Sequence, residues 1–436
     1  MTSAREAKTL VFFPEGAIGP TNNCVGIGDV LARRGHRVVF VVEESFKGTL
    51  EAKGFEERLI RLAPPAAEAQ VPGQFWKDFI RDTAPMFRRS TFEQLEGFIA
   101  PTWRALVDGA RYADQKLAEI FDELAPDAIV EDNVVAFPAI PASGRPWVRI
   151  ASCNPLELKD PTLPPVFSGY RADGREGWNE FLEESARLMG ALQADFSRFC
   201  VERGAPPLPE LEFIHESPWL NLYLYPRELD YRRSLPLAPT WQNLETSVRA
   251  TDAPWDAPVR DRRALIYVSL GSLGSADVAL MERLVEVLAR TPHRYVVSKG
   301  PQHEAYALAE NMAGGEFLPQ TSILPHVDLV ITHGGNNTTT ECMYFGKPMI
   351  VLPIFWDQHD NAQRVHETNH GVRLPTYSFE DRDLTTAIAS LLEDEPMRRR
   401  MKATSTRLQS HPGTSLAADL IEKLATTGEP VIRAQG

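Results

Sequence analysis

Cysteines are few in this sequence, and their placement excludes several kinds of protein. The 436 residues contain Cys24, Cys153, Cys200 and Cys342, with no CxxC motif and no other spacing typical of metal ligands. A disulfide-rich scaffold and a cysteine-ligated zinc site are therefore not expected. We expect four buried free thiols in a reducing compartment.

Long apolar runs and an excess of basic residues are also lacking. No window reaches the roughly 20 apolar residues of a membrane span, and the N-terminal MTSAREAK lacks the apolar region of a signal peptide. With 59 acidic and 46 basic residues, the formal net charge is −13. This charge disfavours nucleic acid and anionic membranes as partners, because both are coated with phosphate. We expect a cytoplasmic protein without a membrane span, in which a local basic pocket remains compatible with the overall charge.

The length of the chain predicts two domains of roughly 200 residues each. Residues 9–42 read as strand, loop (14–23), helix (24–34) and strand, a unit that predicts a parallel sheet with a ligand site at its carboxyl edge. A second strand, glycine loop and helix begin at residue 264. Prolines without periodicity mark a linker in between. The sequence therefore predicts an α/β protein with two Rossmann-like domains, at residues 1–233 and 261–405, joined by a linker at 234–260 and followed by a C-terminal helix within 406–436.

Residues 317–361 carry the strongest functional signal. They predict a strand (327–332), a loop with Gly334 and Gly335, a helix (338–345) and a second strand (349–352). The glycines let the backbone approach a ligand, and the N–H groups of residues 337–339 lie at the positive end of the helix dipole. An anion such as phosphate is the expected ligand. Glu341, one turn into the helix, is placed to accept a hydrogen bond from a ribose hydroxyl, so the stretch suits a nucleoside diphosphate.

Three blocks in this stretch resemble the donor-binding signature of the family 1 UDP-glycosyltransferases, which runs WxPQ, HxGxNSxxE and DQxxNA. They are FLPQ at 317–320, HGGNNTTTE at 333–341 and DQHDNA at 357–362. The resemblance implies the GT-B fold, in which two Rossmann-like domains face each other across a cleft. The first domain would bind the acceptor and the second the nucleotide sugar, and the last helix would cross back onto the first domain. The implied reaction is inverting transfer of a sugar, glucose in the first instance, from a UDP-sugar to a hydroxyl of a small lipophilic acceptor such as an aglycone, antibiotic or phenol.

The resemblance also implies roles for individual residues in donor binding. His333, the helix N-terminus and the loop at 271–274 would contact the phosphates, Phe317 and Gln320 the base, and Asp357 and Gln358 the sugar. Phe317 stands where the family usually has Trp, which leaves uridine and thymidine donors both open. No metal or further cofactor is implied, because the chain has no DxD motif at the diphosphate site and His333 with the helix dipole can replace a cation. The implied donor residues are Ser272, Phe317, Gln320, His333, Gly335, Asn337, Thr338, Glu341, Asp357 and Gln358.

The first domain departs from the family at the catalytic base. The histidine that the family carries after the first strand would fall at position 20, which is Pro20 in this chain, whereas Asp132 matches the carboxylate that orients that histidine. Three explanations remain open. Asp132, helped by Glu15 or by a water molecule, acts as the base; the acceptor is a phenol or carboxylic acid that needs little activation; or the chain has lost transfer activity and serves as a nucleotide-binding auxiliary protein.

Two further alternatives concern the reaction and the acceptor site. A nucleotide-sugar epimerase shares the same fold, but it would need no acceptor-sized pocket. The aromatic side chains between residues 51 and 123 favour a transferase if they face an apolar acceptor, and have no functional meaning if they only pack on the sheet. They are Phe75, Trp76, Phe79, Phe87, Phe92, Phe98 and Trp103.

Overall fold

Two parallel β-sheets, one in each half of the chain, organise the computed structural model, which describes residues 6–64, 82–250, 252–258 and 261–433. The first sheet has the order β3-β2-β1-β4-β5-β6-β7 and the second β10-β9-β8-β11-β12-β13. The strands of the first sheet are β1 (Thr9–Pro14), β2 (Arg37–Glu43), β3 (Glu56–Ile60), β4 (Ala128–Asp132), β5 (Trp147–Ala151), β6 (Leu220–Tyr223) and β7 (Trp241–Asn243). Those of the second are β8 (Leu265–Ser269), β9 (Arg294–Ser298), β10 (Met312–Gly315), β11 (Leu329–Thr332), β12 (Met349–Val351) and β13 (Gly371–Arg373).

Helices cover both faces of each sheet, as parallel sheets require. In the first half they are α1 (Ile18–Arg33), α2 (Thr91–Gln94), α3 (Ala100–Leu124), α4 (Ala139–Ala142) and α5 (Trp178–Glu202). In the second half they are α6 (Gly271–Gly274), α7 (Val278–Ala289), α8 (Gln320–Ile323), α9 (Asn336–Phe345), α10 (Gln358–Glu367), α11 (Asp381–Glu393), α12 (Glu395–Ser410) and α13 (Gly413–Thr427). The central strands are buried on both faces because they are almost wholly apolar, as in β8 (LIYVS).

The order of strands places a ligand site in each sheet. The direction of winding reverses between β1 and β4 in the first sheet and between β8 and β11 in the second. In open α/β sheets, ligands bind beyond the carboxyl ends of the strands at such a reversal. Two Rossmann-like domains of this kind confirm the predicted fold class, and their two sites are expected to face a shared cleft.

Four strands were not predicted, and all four lie at the edges of the sheets. They are β3, β7, β10 and β13. Edge strands are short and partly exposed, so they lack the apolar runs that reveal central strands; β3, for example, reads EERLI and is buried only at Ile60. The strand β7 lies inside the segment predicted as a linker, so the first sheet extends to Asn243.

The first helix also begins earlier than predicted. Helix α1 starts at Ile18 rather than at residue 24, so the loop after β1 is short and Pro20 lies within the first helical turn. Proline is tolerated there because the first N–H groups of a helix have no partner within the helix.

The C-terminal helix α13 packs on the first domain. Its buried face shares one apolar cluster with Cys24, Val25 and Ile27 of α1. At the rim, Arg34 pairs with Asp419 (2.7 Å) and Glu422 (2.9 Å). The chain therefore crosses back from the second domain to the first. None of the helices in the described ranges has the length and apolar character needed to cross a bilayer.

Two leucines of α13 test this packing. Leu424 is fully buried in the cluster, whereas Leu416 is 42% exposed. We expect Leu424→Ala to lower the free energy of unfolding by about 2 to 5 kcal/mol, because it leaves a cavity in a packed core. The matched control Leu416→Ala is expected to change it by less than about 0.5 kcal/mol. Urea unfolding of both variants measures this, and equal effects would contradict docking of the helix.

Candidate active site

The predicted phosphate loop lies between β11 and α9. Gly334 adopts a φ of +87°, and Gly335 caps α9. The helix begins two residues earlier than predicted, so its first-turn N–H groups belong to Asn336, Asn337 and Thr338. Thr339, which was predicted to offer a free N–H, donates to the carbonyl of Gly335 (3.0 Å). The positive end of the helix is still at the loop, displaced towards Asn336.

His333 is fixed beside this loop by two glycines. A Cβ atom at Gly271 would lie 2.8 Å from His333 Nε2, and one at Gly335 would lie 2.6 Å from it. Only glycine at both positions leaves room for the ring, which brings α6 and α9 against the same imidazole. Burial lowers the pKa of His333 to about 4, and a hydrogen bond with the backbone of Ser269 acts in the opposite direction. The ring is therefore neutral at pH 7 without ligand.

Glu341, predicted to contact ribose, is engaged by two side chains. Its Oε1 accepts from Arg249 (2.8 Å) and its Oε2 from Gln320 (2.5 Å). Arg249 also forms a two-pronged pair with Asp252 (2.7 and 2.8 Å), and Asp252 accepts from the hydroxyl and N–H of Thr321. Sequence reasoning missed Arg249, because it lies in a proline-rich segment without any pattern.

The remaining residues of the predicted base and phosphate sites lie around Glu341 and His333. Gln320 opens α8 and also donates to the hydroxyl of Thr338 (3.2 Å). The ring of Phe317 is 58% exposed, so it offers a free apolar face at the rim. Ser272 is half-buried in α6, directly after β8. The segment 271–274, which was predicted as a loop, forms the short helix α6. The structure thus brings this segment and the predicted donor residues of the three blocks together along the carboxyl edge of the second sheet.

Asp357 and Gln358, the two residues predicted to bind the sugar, form hydrogen bonds within the protein. Asp357 accepts from the N–H of Asn154 in the first domain (2.8 Å) and more weakly from Asn361 (3.4 Å). Burial raises the pKa of Asp357 to about 6. The Oε1 atom of Gln358 accepts from the N–H groups of Ile354 and Phe355, which leaves its amide NH₂ as the group available to a ligand.

Asparagine side chains of the same motifs cross the cleft. Asn336 donates to the carbonyls of Ser152 (2.8 Å) and Leu224 (3.1 Å). Asn337 donates to the carbonyl of Gly19 in α1 (2.8 Å). The donor loop therefore lies directly opposite the carboxyl edge of the first sheet.

Two carboxyl groups, those of Asp132 and Glu15, lie at that opposite edge. Asp132, at the end of β4, accepts from the hydroxyl of Ser152 (2.6 Å) and has the amide of Asn23 at 3.5 Å. The side chain that faces Asp132 from α1 is thus Asn23, one turn beyond Pro20. Burial raises the pKa of Asp132 to about 8. Glu15 follows β1, and its N–H donates to the carbonyl of Asp132 (2.8 Å).

Glu15 is the more accessible of the two carboxyl groups. It is half-buried, whereas Asp132 is 2% exposed. Burial raises the pKa of Glu15 to about 7, and the nearby carboxylates of Glu43, Glu157 and Asp357 add to this shift. Since Asp357 belongs to the donor motif, Glu15 lies between the two halves of the cleft.

The aromatic side chains of the first domain both pack and face the cleft. Phe87 stacks on Phe355 of the second domain (5.0 Å between ring centroids), and Phe98 meets the same ring edge-on (5.3 Å). Trp103 lies 5.5 Å from Trp356, which directly precedes Asp357. Phe92 is half-buried and meets Phe181 of α5 at 6.4 Å. The residues Phe75, Trp76 and Phe79 lie outside the described ranges.

Comparison with known sequences agrees with this geometry. Residues 259–416, which hold the donor site, match the family described as UDP-glucoronosyl and UDP-glucosyl transferase. The match identifies the second domain as one of this family. It is 24% identical to the zeaxanthin glucosyltransferase of Pantoea ananas, over 93% of each chain. It is also 24% identical to the oleandomycin glycosyltransferase of Streptomyces antibioticus, over 97% of this chain and 92% of the relative.

Solved structures of glycosyltransferases share the fold. The glycosyltransferase of kitacinnamycin superposes with a TM-score of 0.67 at 22% identity, covering 96% of this chain and 99% of the other. The calicheamicin glycosyltransferase CalG4 gives 0.65 at 19% identity, covering 98% and 100%. Together with the family match, these likenesses identify a GT-B glycosyltransferase that uses a UDP-sugar. An epimerase is not favoured, since the curated relatives are transferases.

The ion pair between Arg249 and Glu341 in this glycosyltransferase can be tested by a double-mutant cycle. Both side chains are at most 10% exposed. Arg249→Gln leaves the carboxyl groups of Glu341 and Asp252 without their cation, so we expect a loss of about 3 to 5 kcal/mol of stability. Adding Glu341→Gln removes one of the two unpaired carboxyl groups and should restore part of that loss. Urea unfolding of the two single variants and the double variant measures the coupling; purely additive losses would contradict the pairing.

Proposed function

We propose that this glycosyltransferase transfers a hexose, glucose in the first instance, from UDP to a hydroxyl of a small lipophilic acceptor bound by the first domain, with inversion at the anomeric carbon. The observation that carries the proposal is the hydrogen bond between Asp357 of the donor motif and Asn154 of the first domain. It brings a motif typical of sugar binding to the same edge as Asp132 and Glu15. The acceptors in the names of the relatives, zeaxanthin and oleandomycin, support a lipophilic molecule.

Stabilisation of the leaving diphosphate is assigned to His333 and the first-turn N–H groups of α9. Negative charge develops on the β-phosphate as the glycosidic bond to it breaks, and donors already fixed in place stabilise that charge without reorganisation. The glycines at 271 and 335 hold the His333 ring in place. These donors take the role that a metal ion has in other nucleotide-sugar enzymes, so we propose a metal-independent reaction.

Activation of the acceptor is assigned to the two carboxylates, since position 20 holds no histidine. A base must be ionised and must lie within reach of the hydroxyl proton. Glu15 is better exposed, whereas Asp132 is held by Ser152 and Asn23 and would act directly or through a water molecule. We also propose that the reaction takes place in the cytoplasm, which agrees with four cysteines that are all free thiols.

The transfer itself is tested with UDP-glucose, TDP-glucose and a panel of phenols and polyketide alcohols, with detection by mass spectrometry. We expect a hexose-shifted product from at least one acceptor, and a β-linkage in its NMR spectrum if UDP-α-glucose reacts with inversion. The absence of any shifted product despite calorimetric UDP binding would contradict the transferase proposal and favour an auxiliary protein.

The identity of the base is tested by the pH dependence of kcat/KM with an aliphatic alcohol, whose own ionisation does not interfere. Both carboxyl groups have raised pKa values, so activity should be complete above the pKa and fall about tenfold per pH unit below it. A midpoint near 7 that disappears in Glu15→Gln identifies Glu15, and a midpoint near 8 that disappears in Asp132→Asn identifies Asp132. Unchanged profiles and turnover in both variants would contradict either assignment.

A further inference from the structure

A small aromatic cavity lies in the first domain beside the cleft. It has a volume of about 70 Å³. Two pairs of rings form part of its wall: Trp103 stacks on Phe213 (4.3 Å between centroids, 17° between planes), and Trp356 meets Phe167 at a tilt (4.2 Å, 37°). Flat apolar walls of this kind suit an aromatic ring.

One wall of the cavity is a buried cation with unused hydrogen-bonding capacity. Arg149 in β5 is 3% exposed and lines the cavity. Its Nε has no hydrogen-bond partner, and its ion pair with Glu157 is long, at 3.7 Å from Nη2. The guanidinium lies over the ring of Trp241 (5.4 Å), which holds it in place. A buried guanidinium normally donates to several acceptors, so a further acceptor is missing at this wall.

We propose that this cavity binds the acceptor and selects aromatic molecules that carry a carboxylate, with Arg149 donating to that carboxylate and the aromatic ring lying against Trp103 and Trp356. The proposal rests on the glycosyl-transfer function proposed above and specifies its acceptor. The cavity lies on the acceptor side of the cleft, because Val134, two residues after Asp132, also lines it.

Charges around the cavity favour a bound anion. Lys159 is a second cation at the wall, and it lies 3.9 Å from Glu212. Burial raises the pKa of Glu157 to about 7, so part of the charge opposite Arg149 is absent at neutral pH. Glu131, the register partner of Arg149 in β4, is also buried, and burial raises its pKa to about 8. At neutral pH these two carboxyl groups therefore compensate the charge of Arg149 only in part.

The cavity must widen to hold an aromatic acid, and the boundary between the two domains runs along one of its walls. Among the lining residues in the described ranges, Trp356 alone belongs to the second domain. Its φ is +56°, a left-handed conformation that is strained for a bulky side chain. Because Trp356 precedes Asp357, opening of the cleft would move this wall together with the sugar-binding motif.

A matched pair of ligands tests the proposal without relying on turnover. We would titrate the full-length protein, with UDP present, with 3-(4-hydroxyphenyl)propanoate and with its amide, and follow binding by calorimetry. The two phenols have similar acidity, so they differ mainly in the carboxylate. A charge-assisted hydrogen bond predicts binding of the acid at least about tenfold tighter than the amide. Equal affinities, or a preference for the amide, would overturn the proposal.

Variants assign the preference to Arg149. Arg149→Gln should abolish the preference for the acid, Arg149→Lys should retain part of it, and the exposed control Arg104→Gln should leave it unchanged. If Arg149→Gln fails to fold, Glu157→Gln decides, because freeing Arg149 from its neighbour should increase the preference. An unchanged or smaller preference in Glu157→Gln, or an equal loss for both ligands in Arg149→Gln, would contradict the assignment.

Hexose transfer to the same two ligands separates this inference from the proposed function. Transfer to both at equal kcat/KM would leave the function intact and overturn the selection of acids. Tighter binding of the acid that depends on Arg149, without transfer to either ligand, would support recognition by Arg149 and contradict the proposed reaction.

Discussion

Hydrogen bonds from the donor motif to the backbone of the opposite domain hold the cleft together, and the rest of the site depends on them. Asn336 donates to carbonyls of Ser152 and Leu224. The carboxylate of Asp360 accepts from the N–H groups of Phe167 and Gly169 (2.6 and 2.8 Å). Each buried backbone group left without a partner would cost about 1 to 3 kcal/mol. The motifs predicted to bind the donor thus also form the domain interface, so we expect donor binding to be linked to the position of the first domain.

Burial shifts the pKa values of the carboxyl groups and of the histidine in this cleft in opposite directions. Both shifts favour the uncharged form of the group. Burial raises the pKa values of Glu15 and Asp132 and lowers that of His333, because a low-dielectric surrounding penalises the charged form. Ionised carboxylates in this position would repel a diphosphate. The protein carries a net charge of −13, and partial protonation of these groups reduces the repulsion that an anionic ligand would meet in the cleft.

The features that could be predicted from the sequence are those that depend on residues close to one another along the chain. The buried leucines and valine of α7, which are Leu280, Leu284, Val287 and Leu288, recur with the helical period in the sequence. The glycines of the 333–341 block predicted a loop close to a ligand. The start of α1 was predicted six residues too late, because Pro20 resembles a loop residue although the first turn of a helix accepts it. Edge strands such as β10 (MAGG) were missed, since nothing in four such residues distinguishes a strand from a loop.

The sequence by itself determined the fold class, the order of the donor blocks and the positions of the predicted donor residues. These follow from periodicity and from motifs whose members lie within a few residues of one another. Only the tertiary structure decided that Arg249 neutralises Glu341, that Asn23 faces Asp132, and that Arg149 lies against an aromatic cavity. These contacts join residues far apart in the chain, as do Asn337 and Gly19 at a separation of 318 positions. No local pattern specifies such partners, because they meet only when the whole chain is folded.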